Sequence, residues 1–230
     1  MDSNEKAARD ASSFQTSGAI LLGLKYWTGV VEQFPYGLGV LILNYALYQS
    51  ELVPRWLSVW GLVGGALILA MGFLRMFGHS VIFLAIPMIL NELVLAVWFI
   101  VFGINSSVIA LVIVGVLFIT ALVSSMSSGL SGSVDDPDYL TTVSANENKV
   151  LIGVLFQLLL TASVVAIPIL MYPIFREHSE SLALGYVGAR IFEGFFDAVI
   201  AISILLLLTL SREYVNAGTL DAETEVEEIN

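Results

Sequence analysis

The sequence predicts an all-α, polytopic transmembrane helical bundle of about six spans, with a partly interfacial helix near the N-terminus. Three observations lead there. The chain is 57% hydrophobic and only 13% charged, against about 45–50% apolar and about 25% charged in a soluble domain. Between Trp56 and Asp135 the only charged residues are Arg75 and Glu92, and from Val150 to Tyr172 there is none. The apolar runs are continuous and long enough for the roughly 20 residues of a bilayer-crossing helix, whereas the strands of a membrane barrel alternate in segments of about 10.

Taken in order, the polar and acid-bearing start MDSNEKAARDASS does not fit a cleaved signal peptide, which needs a basic region before a short apolar core. SGAILLGLKYWTGVVEQFPYG follows and carries Lys25, Glu32 and Pro35. It reads as one helix over about 13–32, lying partly in the interface, an amphipathic connector in preference to a functional helix, with a kink or break at Pro35 just before Gly37 and Gly39. Spans are expected at about 34–50, 57–77, 81–103, 107–129, 150–172 and 187–210. Pro54 suits a helix start, and Trp56 suits an interfacial aromatic anchor. Within GLVGG, Gly61 and Gly65 form a small-xxx-small pair that lets two helices approach closely.

The soluble stretches are the N-terminal tail, the loop SGSVDDPDYLTTVSANENK (131–149), the loop YPIFREHSES (172–181) and the tail TLDAETEVEEIN. None can hold a further domain. The net charge of −11 is concentrated in them, and the acidic end, 219–230, reads as a disordered tail. Counting basic residues in the loops tips both tails toward the cytoplasm.

Soluble-enzyme chemistry finds no foothold. There is no cysteine, which removes disulfides and thiolate metal sites. The phosphate-cradling, dinucleotide, HExxH and nucleophile-elbow motifs are all absent. His79 and His178 lie far apart in sequence and read as interfacial polar residues. The sequence therefore assigns no catalytic residue, no metal ligand and no cofactor. The expected partners are the lipid bilayer and a small-molecule or ion ligand, with no nucleic acid.

One segment departs from the apolar pattern. GYVGARIFEGFFDAV (185–199) carries Arg190, Glu193 and Asp197, which on a helix fall at i, i+3 and i+7 and so share one face. An ionisable group at the centre of a span costs about 2.5–3.5 kcal/mol on insertion scales, so these three should face the bundle interior and find partners. Glu92, flanked by Asn91 in PMILNELVLAVWF, is the expected partner of Arg190. One guanidinium among three carboxylates leaves the cluster acid-rich. Either some carboxyls stay protonated through burial, or the site admits a cation or water. Two functions fit. One is a non-catalytic bundle tied together by a buried Arg/carboxylate network. The other is a small-solute or proton/cation-coupled membrane transporter using that polar cluster. An intramembrane enzyme is disfavoured, since no nucleophile and base pair is visible.

The stretch from Val108 through the YPIFREHSESLALGYVGARIFE signature to LSREYVNAG resembles the first half of a prokaryotic membrane family, domain of unknown function 4386. The stretch 12–104, with SELVPRWLSVWG (50–61) and NELVLAVWFIVFG (91–103), resembles that family's second half. The chain thus reads as a circular permutant, with 11–104 matching the second half, 105–218 the first, and a seam near INSS (104–107). The resemblance implies a six-span bundle in a prokaryotic cell membrane and carries no assigned catalytic residues. It singles out Pro54, Arg55, Trp56, Glu92, Trp98, Arg190 and Glu193 as its motif positions in this chain.

Overall fold

A computed structural model describes residues 3–102 and 138–229, and among them there is helix and no strand. Helix α1 covers Ser3–Ser50 and α2 covers Arg55–Met76. A 3-10 turn, Ile82–Ala85, leads into α3, Ile86–Phe102. Beyond residue 137 come α4, Tyr139–Ala145, α5, Glu147–Arg176, and α6, Glu180–Ile229. The span expected at 107–129, the seam at 104–107 and the first part of the 131–149 loop lie outside the described residues.

Among the described residues, four stretches are long and apolar enough to cross a membrane: Arg55–Met76, Ile82–Phe99, Glu147–Arg176 and Glu180–Gly218. Their outer faces are apolar as well. Ile82, Phe83, Phe192 and Phe195 are each more than 60% exposed, and large exposed apolar patches of this kind mark surfaces meant for another apolar phase or a partner.

The described residues fall into two compact units. One comprises 3–27, 138–157 and 199–229; the other comprises 28–102 and 158–198. In the first, a core of Leu22, Tyr139, Leu140, Val143, Val150, Leu207 and Leu208 is closed by Phe14 and Tyr214, whose rings meet edge-on at 5.9 Å. Tyr139 Oη donates to the Gln15 carbonyl at 3.0 Å, Ser211 Oγ donates to the Leu140 carbonyl, and the Arg212 guanidinium takes both oxygens of Glu147. The described part of the expected 131–149 loop, 138–149, is therefore not a plain soluble loop. Its apolar residues Tyr139, Leu140 and Val143 line one face of α4, and burying that face makes the short helix.

In the second unit, α1, α2 and α3 pack on glycine. A Cβ at Gly65 would stand 2.9 Å from Val40 Cγ1, one at Gly64 would stand 3.1 Å from Met88 Sδ, and one at Gly61 would overlap the Asn44 amide. Gly61 and Gly65 thus seat α1 while Gly64 seats α3, the close approach that a small-xxx-small pair permits. Gly61→Ala is expected to lower stability by about 1–3 kcal/mol, the usual cost of overpacking a filled site. A melting curve in detergent reads this, and an unchanged midpoint would mean that α1 can move away from α2 freely.

Two boundaries differ from the sequence reading. Helix α1 runs through Pro35 without a break, although an interior proline costs about 3 kcal/mol. Close contacts just beyond it hold the chain helical: Gly37 receives Leu69 of α2 and Gly39 receives Arg190 of α6. At the other end α6 extends past Gly218 to Ile229, where the sequence reading places a disordered tail. Residues 219–229 contain no proline or glycine, and their Leu, Ala and Glu are good helix formers.

Candidate functional site

The second unit holds a polar centre built on two matching helical faces. On α6, Tyr186, Arg190, Glu193 and Asp197 recur at spacings of four, three and four, and all are buried. Ile191, Phe192 and Phe195, which fall between them, are exposed. On α1, Glu32, Tyr36 and Gly39 recur at spacings of four and three. These are the intervals that keep side chains on one helical face.

Arg190 is the hub. Its Nη1 donates to both oxygens of Glu193, at 2.9 and 2.6 Å, and its guanidinium stacks between two rings, 5.5 Å from the centroid of Tyr36 and 5.8 Å from that of Tyr186. Aromatic faces attract a desolvated cation. Gly39 makes this possible, since a Cβ there would press on Arg190 Cδ at 3.2 Å. Tyr36 also donates its hydroxyl to Glu92 Oε1 at 2.9 Å.

The carboxylate of Arg190 therefore comes from its own helix, not from α3 as the sequence reading expects. An i, i+3 neighbour can present both oxygens without leaving the helix. Glu92 feels the Arg190 charge and joins the centre through its hydrogen bond from Tyr36. Asn91, one residue earlier and so about 100° around α3, turns away and donates to the Leu57 carbonyl of α2 at 2.9 Å.

Of the motif residues, Glu92, Arg190 and Glu193 belong to this centre and the other four have other surroundings. Pro54 is the N-cap of α2. Arg55 pairs on the surface with Glu51 and lies over the Tyr48 ring, while Trp56 is exposed and stacks on Trp60. Trp98 packs against an apolar core that includes Leu47, Leu57, Leu95, Met171 and Phe175. His79 and His178 are both exposed.

Sequence reasoning misses Glu32. Its carboxylate oxygens lie within 4.8 Å of those of Glu193 and Asp197, a group able to hold a metal ion where the sequence assigns no metal ligand. Asp197 and Glu193 repel Glu32, and Arg75 and Arg190 attract it. Glu193 and Asp197 are buried while Glu32 is partly exposed. The signal was present: Glu32 is an ionisable residue inside an apolar run, one helical turn from Tyr36. Reading that run as an interfacial connector removed the reason to look inward.

Four carboxyls (Glu32, Glu92, Glu193, Asp197) thus face two guanidiniums (Arg75, Arg190). Like charges so close in an apolar interior cannot all ionise uncompensated. The arrangement can take up positive charge, and Glu32 is its partly exposed member.

A family model described as Domain of unknown function (DUF4386) matches residues 2–103 and 113–228. No curated protein and no solved structure matches the chain.

Proposed function

We propose, for a chain that belongs to the DUF4386 family, that it is a multi-pass protein of a prokaryotic cell membrane, with about six spans, that moves protons or small cations, alone or coupled to a small solute. The convergence of Glu32 on Glu193 and Asp197 carries this reading. Four carboxyls share two guanidiniums, Arg75 and Arg190, so acid outnumbers base in the centre, and intramembrane carboxyls of this kind typically mark ion pathways and proton relays. The partial exposure of Glu32 supplies access.

A second reading keeps the same centre as a sealed, non-catalytic network. The ring-stacked, two-oxygen Arg190–Glu193 pair favours it. Flux decides between the two. Purified protein in liposomes should dissipate an imposed proton or sodium gradient faster than protein-free vesicles. If neither gradient decays faster, with or without added solutes, the sealed network stands.

The two halves of the chain are proposed to stand in permuted order, 11–104 as the family's second half and 105–218 as its first. Support comes from Phe14 and Tyr214 meeting in one unit, as ends that are continuous in the ordinary order should. A rearranged chain that starts at residue 105 and joins residue 218 to residue 11 through a short linker should fold and melt near the original. Failure of that rearranged chain to fold in any linker length would sink the permutation.

A further inference from the structure

One turn of α2 gathers three buried polar oxygens with no hydrogen-bond partner: Asn44 Oδ1, Ser58 Oγ and Asn91 Oδ1. All three residues are fully buried at 0% exposure. Asn91 Nδ2 donates to the Leu57 carbonyl, which points along α2 toward Gly61. The Asn44 amide lies against Gly61 itself. Ser58 stands three residues before Gly61, on the same face. The amides cannot be turned round to satisfy their oxygens. Asn44 Nδ2 already donates to the Val40 carbonyl at 2.9 Å, as Asn91 Nδ2 does to Leu57, and exchanging N for O would set two acceptors against each other.

Each Nδ2 has a second hydrogen and Ser58 has one to give, yet none of these satisfies the three oxygens, which stay without a protein partner. Buried polar groups are almost always paired, with protein or with ordered water. From this mismatch at Asn44, Ser58 and Asn91 we infer a binding site for a single water molecule between α1, α2 and α3. A water donates one hydrogen to each amide oxygen and accepts the Ser58 hydroxyl hydrogen, so it satisfies all three groups at once, within the two to four partners that a buried water needs. A metal cation would meet only neutral oxygens there and would leave its hydration without a compensating carboxylate.

The bound water ties α1 to α3 across α2. It holds α3 one residue from Glu92, whose carboxylate meets Tyr36 of α1, and so acts as a positioning element for the polar centre.

The direct test is a structure of the full chain in a lipid nanodisc at a resolution that shows ordered water. One density peak is expected about 2.7–3.2 Å from Asn44 Oδ1, Asn91 Oδ1 and Ser58 Oγ. The inference is overturned if the space holds no peak, or if a peak sits at about 2.4 Å and follows the sodium concentration, which would mark a cation. Melting curves of Asn44→Leu, Asn91→Leu and the double variant give a second readout. A shared water makes the second substitution lower the midpoint by less than half as much as it does alone, while additive shifts contradict it. If the double variant does not fold, the density in the unsubstituted protein decides.

Discussion

Arg190→Ala is expected to cost about 3–5 kcal/mol of stability, the usual result of removing one partner of a buried ion pair, and to lower the melting temperature in detergent markedly. Glu193 is 5% exposed and takes both of its hydrogen bonds from Arg190 Nη1. Without the guanidinium its charge has no partner on its own helix, and the rings of Tyr36 and Tyr186 close on a cavity. Arg190→Lys should restore part of the loss. Lysine keeps the charge but lacks the planar fork that grips two oxygens and stacks on aromatic faces. The double change Arg190→Met with Glu193→Gln should melt closer to the original than Arg190→Ala does, because Glu193 is not left as a charge stripped of its hydrogen-bonding partner. A midpoint unaffected by Arg190→Ala would mean that Glu193 carries no charge in the folded protein.

Asp197→Asn and Glu32→Gln are expected to act the opposite way, sparing the fold and abolishing flux. Each keeps the shape of its side chain and removes one of the carboxyls that crowd within 4.8 Å. Relief of like-charge repulsion should leave the melting temperature equal or higher. Under the proposed function, proton or cation flux in liposomes should fall by about tenfold or more, since a carboxyl tuned by burial is the exchanging group of such a relay. Full flux in both variants would remove these carboxyls from the pathway, whatever the transport activity of the unsubstituted chain.

Much of this fold is legible because a bilayer-crossing helix writes a long signal. The apolar runs behind α2, α3, α5 and α6 are long and sparsely charged, so their existence follows from composition and length, and the spacing of Arg190, Glu193 and Asp197 already places them on one face. The failures have local causes. Pro35 reads as a kink or break because its penalty is local and visible, and of the two only the break is overturned, by a helix that continues to Ser50 beside close neighbours about 30 and 150 positions away in sequence. Helix α4 is short and sits among Asp, Ser and Asn, so only tertiary burial of Tyr139, Leu140 and Val143 shows that it forms. The hydrogen bonds of Arg190 go to Glu193, while Glu92 meets it only through charge, and the place of Tyr36 beside the guanidinium depends on how α1 packs against α6 at Gly39. Asn91 and Glu92 are adjacent in sequence, but neighbours on a helix point about 100° apart and here serve different sites.

Infrared difference spectroscopy on the purified protein across a pH or sodium titration addresses the positive charge held by Glu32, Glu193 and Asp197 most directly. It sees the carbonyl stretch of a protonated carboxyl and the shifted carboxylate bands of a metal-bound one. The proposed function predicts a titrating band of one kind or the other that disappears in Asp197→Asn and in Glu32→Gln while remaining in Glu51→Gln, a surface control paired with Arg55. A spectrum with no such band, or one that both buried-cluster variants leave unchanged, would contradict it.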